Sequence, residues 1–427
     1  MTTTPASVYR LIEHMKEKCG YQYHHWMRNF EQGMLNTLEK TLKLVDSDEY
    51  FVITGDIPAM WLRDSSAQVR PFLVLAKEDP EIAKIIKGVL KRQFKYIAID
   101  PYANAFNETP NGRHHGNDYT TMGPWIWERK YEIDSLCYPV QLAYLYYKNT
   151  GDTSHFDQGF QLAVDKIIAT FKTEQHHENS TYSFERFDER PEDTLPCQGK
   201  GNPVAYTGMI WSGFRPSDDA CKYGYLVPSN MFAVVILKYL AEIYREIFHD
   251  NQKVQKCMTM VEEINQGIQS FAIVKNQSGQ DIYAYEVDGL GNHHLIEDPN
   301  VPSLLSMSYL GYCESTDLVY QNTRQMLLSE GNPYYYVGKF GRGLGSSHTP
   351  KGFIWDIALA IEALTSNNKQ EKLRLIDLLV ATDADTGFMH ESFNVNDPEE
   401  FTRPWFSWAN MMFCELVMDY FDIRVQR

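Results

Sequence analysis

Long apolar runs are missing from this 427-residue chain: no stretch of roughly 18 apolar residues occurs that could cross a bilayer as a helix. The first twenty residues, MTTTPASVYRLIEHMKEKCG, contain no apolar core of signal-peptide length, so a cytoplasmic protein is expected. Cysteines are few and scattered: the seven, at 19, 137, 197, 221, 257, 313 and 414, form no CxxC pair. Neither a disulfide framework nor a thiolate zinc site is supported, and these cysteines read as reduced core residues. Positive charge is scarce, with 40 Lys and Arg against 56 Asp and Glu and a net charge of −16. Such a surface repels phosphate backbones and anionic lipid, which excludes nucleic-acid binding and polybasic membrane attachment. The Asn-x-Ser/Thr triplets at Asn107, Asn179 and Asn276 read as chance matches. No Pro- or Ser-rich linker divides the chain, and no fixed-period repeat or low-complexity segment marks it as a solenoid.

Helical periodicity and aromatic rings are what the chain does have. Helical spacing covers roughly 8–18, 30–45, 66–77, 80–98, 132–149, 157–173, 228–247, 251–273, 303–313, 316–329, 352–366, 369–381 and 406–422, about thirteen helices. Strand patterns are few; 181–187 and 281–287 could form short hairpin strands. A long helical chain without linker or repeat predicts an all-α toroid of alternating outer and inner helices, one catalytic domain spanning 1–427.

Five segments rich in Trp, His, Arg, Asp and Gly precede helices: 53–65, 101–131, 206–227, 339–351 and 388–405. In a toroid every second connection emerges at the same end, so these loops should converge on one mouth. Trp61, Trp125, Trp127, Trp211 and Trp405 lie in them, and Trp355 and Trp408 open the helices that follow, while Trp26 lies elsewhere. Rings gathered at one end suit the flat C–H faces of sugars.

The loops offer candidate chemistry. In the first, Arg63 and Asp64 form either a donor–acceptor pair for adjacent sugar hydroxyls or a plain salt bridge, with Trp61 as a stacking wall and Ser65 and Ser66 as helix caps. The second holds His114, His115, Trp125, Trp127 and Glu128; adjacent histidines without HEXXH spacing favour sugar hydrogen bonding or packing over a metal. The third, GFRPSDDACKYGYLVPSN, carries Asp218 and Asp219 with Arg215 nearby. In the fourth, Gly341, Gly343 and Gly345 either bring backbone amides and His348 to a ligand or are simple turn glycines, without the context of a phosphate loop. In the fifth, Glu391 stands in aromatic, weakly charged surroundings ahead of Arg403. A glycosidase needs two carboxyl groups flanking the scissile bond, and either aspartate with Glu391 would meet that need. Spacing alone does not separate Asp218 from Asp219. A sugar epimerase working through His115 with His348 or His390, and a non-catalytic sugar-binding protein, remain as alternative readings.

The blocks MWLRDSSAQVRPF, RHHGNDYT, WIWERKYEIDSLCYP, GMIWSGFRPSDDACKYGYLVPSNMFA, GSSHTPKGFIWDIAL, HESFN and FTRPWFSWAN occur in this order between roughly residues 50 and 412. Together they resemble glycoside hydrolase family 125, the exo-α-1,6-mannosidases. The resemblance implies an (α/α)6 barrel and cofactor-free, metal-independent hydrolysis with inversion. Terminal mannose would be released from α-1,6-linked mannosides such as N-glycan-type oligosaccharides. It further implies Asp218 as general acid, Glu391 as general base, and Arg63, Asp64, His348 and Arg403 in the terminal-sugar subsite. Trp61, His115, Trp127 and Arg215 are the remaining candidate binding residues.

Overall fold

The computed structural model describes residues 4–187 and 190–427. In chain order its helices are α1 (Ala6–Cys19), α2 (Met27–Asn36), α3 (Leu62–Val69), α4 (Pro80–Ile99), α5 (Ile133–Thr150), α6 (Gln158–Glu174) and α7 (Pro196–Gly199). The second half adds α8 (Val227–Ile243), α9 (Asn251–Gly267), α10 (Met307–Leu310), α11 (Leu318–Leu327), α12 (Asp356–Leu364), α13 (Lys369–Ala381) and α14 (Ser407–Tyr420). Helices α3, α5, α8, α10, α12 and α14 form the inner ring of an (α/α)6 toroid; α3 packs on both α5 and α14, which closes the circle. Outside them run α2, α4, α6, α9, α11 and α13.

Burial explains the two rings. Every residue of α3 is buried, as is every residue of α8 from Val227 to Leu237, because an inner helix has neighbours on all sides. Outer helices bury one stripe: α9 hides Cys257, Met260, Val261, Ile264 and Gly267, at the helical spacing of three and four. No described helix is long and apolar enough to cross a membrane.

Several boundaries differ from the periodic pattern, each for a local reason. Helix α3 begins at Leu62, so Ser65 and Ser66 lie inside it and do not cap it. Their hydroxyls donate back to the carbonyls of Trp61 (2.6 Å) and Leu62 (3.0 Å). The 30–45 pattern is helical only to Asn36, continues as one wider turn to Thr41, and ends as a strand, Leu42–Leu44, paired with Tyr50–Val52. The 303–313 pattern shrinks to the single turn α10. There Ser303 and Ser306 bond each other's backbone, the amides of Leu304 and Leu305 donate to Glu297, and left-handed Gly311 (φ 93°) ends the turn.

Strands are more numerous than the sequence pattern suggests, and they matter because they precede the inner helices. Met60–Trp61 leads into α3, Tyr225–Leu226 into α8 and Phe353–Trp355 into α12, each tied into a three-stranded antiparallel sheet. Pieces of two and three residues are too short for alternation to show in sequence. Of 181–187 only Glu185–Arg186 is a strand, paired with Asp118–Tyr119. The 281–287 segment splits between two sheets.

Candidate active site

At the N-terminal end of the inner ring lies a cavity of about 550 Å³, and all five candidate loops reach it. Trp61, Arg63 and Asp64 come from the first, His115 and Glu128 from the second, Asp218 from the third, and Glu391 and Arg403 from the fifth. The fourth contributes His348 alone. Its glycines do not line the cavity: Gly343 packs against Leu359 and Ile354, and a Cβ on Gly345 would meet the Phe353 carbonyl at 2.3 Å. They are packing glycines of a hairpin.

Two stitches hold the first and fifth loops together. The amide of Asp56 donates to the Trp405 carbonyl and that of Ser407 to the Thr54 carbonyl, at 3.3 and 2.9 Å. Gly55 (φ 130°) sits between them, where a Cβ would lie 2.3 Å from the Trp405 carbonyl oxygen. Arg403 adds a side-chain tie, reaching Asp56 at 2.5 Å and Thr54 at 3.1 Å.

The adjacent aspartates point into different surroundings. A tight turn is closed by the Asp218 amide on the Arg215 carbonyl (2.9 Å) and the Arg215 amide on the Asp219 carbonyl (2.8 Å). It sets Asp218 at φ 69°, a left-handed conformation that Asp tolerates better than most residues. Asp218 faces the cavity with its side chain 26% exposed. Asp219 is fully enclosed and bound by His348 Nδ1 (2.9 Å), Arg190 Nη2 (2.9 Å) and Ser347 Oγ (2.7 Å). Burial opposes its charge, but His348, Ser347 and Arg190 prevail and hold the carboxyl well below the usual range. The same pairing works on the imidazole: burial disfavours its charge, yet Asp219 overrides this and raises the His348 pKa to about 9. His348 is therefore a cation at neutral pH, aimed at the cavity by a buried anion.

Arg63 is only 3% exposed and lies among four carboxyls. Its Nη1 reaches Glu132 at 2.5 Å and Asp134 at 3.0 Å, its Nη2 reaches Asp218 at 3.4 Å, and its Nε lies 3.7 Å from Asp64. Both Nη groups are thus spent on carboxyls, so the arginine organises acids rather than offering an open fork to adjacent hydroxyls. Asp64 lines the cavity within α3. Burial lifts its pKa to about 6 against the pull of Arg63 and Arg403. Asp218 is steadied further by Asn104 (3.4 Å to its carboxyl) and by Lys130 (2.7 Å to its carbonyl).

Glu391 stands apart from this group, just ahead of the strand Ser392–Asn394. Its amide donates to the Thr402 carbonyl, its side chain is 8% exposed, and Arg403 Nη1 lies 3.7 Å from Oε1. His115 lines the cavity from an exposed turn held by its amide on the Trp127 carbonyl (2.9 Å).

Two candidates lie away from the cavity. Arg215 is buried behind the turn, its Nε on Glu286 at 2.6 Å and its Nη1 3.9 Å from Asp298, so it braces the third loop from below. Trp127 packs behind Trp61 with Ile57. Nor do all the loop tryptophans gather at the cleft: only Trp61, Trp355 and Trp408 line it. Trp211 stacks on His177 at 3.6 Å in the core, Trp125 covers Arg92, and Trp405 donates to Asn36. An indole fills a core as readily as a sugar site, and composition does not tell the two apart.

Sequence reasoning missed one side of the mouth. Arg186, Phe187, Arg190 and Asp193 line the cavity from the segment after α6, and Asn300 from the turn before α10. The first segment reads as a solvated charge run; its only distinguishing signal is Phe187 among those charges. No group of three or more His, Cys, Asp or Glu among the described residues is arranged to hold a metal ion.

Comparison with known proteins identifies the family. The family model described as metal-independent alpha-mannosidase (GH125) matches residues 24–418. A solved Streptococcus pneumoniae structure, described as a metal-independent α-mannosidase in a non-productive complex with α-1,6-mannobiose, is similar over 99% of this chain and 100% of its own. It is 51% identical with a TM-score of 0.97. The Meiotically up-regulated gene 157 protein of Schizosaccharomyces pombe is 38% identical over 97% of this chain and 86% of its own. A wild-type glycosidase structure at 14% identity and TM-score 0.56, covering 95% of this chain and 100% of its own, shares the fold. The chain belongs to the GH125 family of metal-independent α-mannosidases, and it is a glycoside hydrolase.

Proposed function

We propose that this α-mannosidase acts on the chain end of α-1,6-linked mannosides, including N-glycan-type oligosaccharides, and releases one mannose at a time with inversion. The observation that carries this reading is the pair of carboxyls on one cavity: Asp218 beside Arg63 on one loop and Glu391 beside Arg403 on another. The complex of the S. pneumoniae relative with α-1,6-mannobiose supports the linkage. Trp61, Trp355 and Trp408 wall the cavity where the inner helices begin, which suits a single terminal sugar.

In this mechanism Asp218, protonated, gives its proton to the glycosidic oxygen as the bond from C1 breaks. Glu391, ionised, takes a proton from the water that attacks C1 from the opposite face. A single displacement of this kind needs room for that water, with carboxyls roughly 6.5–9.5 Å apart. The His348 cation and Asp64 supply a donor and an acceptor for the ring hydroxyls, and Arg403 orients Glu391.

An epimerase working through paired histidines fits less well. His390 is fully buried and stacks on Phe401 at 3.8 Å, away from the cavity, and His348 keeps its proton and so makes a poor base. Asp218→Asn and Glu391→Gln should each lower mannose release by on the order of 10² or more, with unchanged unfolding midpoints. Full activity in either variant removes that residue from its role.

A further inference from the structure

Glu132 has no part in the scheme above, yet it lies at the centre of the acid cluster. It immediately precedes α5, fully enclosed, with Oε2 accepting from Arg63 Nη1 at 2.5 Å and from Ser135 Oγ at 2.8 Å. Its other oxygen, Oε1, receives a hydrogen bond from no donor group. Glu132 and Asp218 share one guanidinium, Arg63 Nη1 reaching the first at 2.5 Å and Nη2 the second at 3.4 Å. Two carboxyls gathered on one guanidinium repel each other, and a single proton held by the pair relieves that repulsion.

The charge balance points the same way. The groups facing the pair are Arg63 and Asp64 from α3, Asp134 and Ser135 from α5, and Glu128 and Lys130 from the segment before it. Asp219 adjoins the turn, and His348 lies across the cavity. The one guanidinium at the centre of four carboxyls does not neutralise them all where water is scarce. Of the pair, Glu132 is wholly enclosed while Asp218 keeps a solvated face, so the resting proton belongs on Glu132. Burial pushes the Glu132 carboxyl well up despite Arg63; on Asp218 burial acts alike, but Arg63 and Lys130 prevail and hold it low.

We propose that Glu132 and Asp218 hold one proton between them, and that Glu132 is a positioning residue that keeps the general acid supplied with it. The inference rests on the reading of Asp218 as general acid. A sugar entering the cavity covers the exposed face of Asp218 and strips water from its anion. That loss of solvation draws the proton from the Glu132 carboxyl onto Asp218 and leaves Glu132 ionised beside Arg63. Asp218 then passes it to the glycosidic oxygen as the C1–O bond breaks, while the attacking water gives a proton to Glu391. The pair ends one proton short and Glu391 one proton rich, and exchange with solvent restores both.

The test is Glu132→Gln, which keeps shape and loses the proton. On α-1,6-mannobiose kcat should fall about tenfold or more at pH 7, with the alkaline limb of its pH profile moved down by about one unit or more and KM within about threefold. On dinitrophenyl α-mannoside, whose leaving group needs no proton, the loss should stay within about threefold. An unmoved pH profile, or equal losses on both substrates, overturns the proposal. Should that variant fail to fold, Ser135→Ala carries the test. Losing its hydrogen bond to Oε2 makes ionised Glu132 costlier, so the alkaline limb should move up, and an unmoved limb overturns the proposal. Asp218→Asn is assayed alongside. If it is inactive while Glu132→Gln behaves as wild type, the shared proton alone is wrong; if it is active, the general-acid assignment is wrong as well.

Discussion

Replacing Asp219 by Asn should uncouple His348 from the anion that keeps it charged. The imidazole is held at a pKa of about 9, against about 6.5 for an unperturbed histidine. That gap of about 2.5 units, at about 1.36 kcal/mol per unit, is worth about 3 kcal/mol. The interaction is well shielded, since Asp219 is 0% and His348 only 23% exposed. Because the folded pKa is raised, this stabilisation is complete below about pH 6.5 and disappears as the pH rises through about 9. The lowered Asp219 carboxyl reports this pair from the other side, together with Ser347 and Arg190, and is not counted a second time. Urea unfolding at pH 6 and pH 10 should therefore show Asp219→Asn costing about 3 kcal/mol more at the lower pH. Proton NMR, with the Hε1 resonance assigned through His348→Asn, should place the wild-type midpoint near 9 and move it down by two units or so in Asp219→Asn. A wild-type midpoint near 6.5, or an equal cost at both pH values, refutes the argument.

Arg63→Met should destabilise the fold by about 3–5 kcal/mol at pH 7, since it leaves buried carboxyls without their cation. Urea unfolding at pH 5 should show a smaller loss, because the carboxyls then take up protons. Gly55→Ala places a Cβ 2.3 Å from the Trp405 carbonyl in a backbone conformation at φ 130°. It should cost about 1–3 kcal/mol in thermal unfolding and lower kcat by loosening Glu391 and Arg403 against Asp64. Prolonged EDTA treatment followed by assay on mannobiose should leave activity undiminished; loss restored by an added divalent ion contradicts a carboxyl-only mechanism.

The toroid was legible because helical apolar spacing recurs along the chain, most plainly in outer helices such as α9, and the five loops were legible because each interrupts that pattern with charge and rings. What sequence hid was short-range. The strand Met60–Trp61 is too brief to show a period, so the sequence pattern does not reveal the start of α3 or the enclosure of Arg63 within it. Asp218 and Asp219 are neighbours of one chemical type; only the turn at φ 69° sends one to the cavity and the other to His348. Arg215 and Trp127 were credible binding residues by type and place, and packing set both behind the wall. Glu132 gave no signal, because its weight comes from Arg63 and Asp218, both distant in sequence.

The central claim, a single displacement between Asp218 and Glu391, is tested most directly by the anomer first released from α-1,6-mannobiose. Proton NMR during the first turnovers, before mutarotation mixes the products, should show β-mannose appearing ahead of α-mannose. First-formed α-mannose would mean a double displacement, and would contradict the pairing of Asp218 as acid with Glu391 as base.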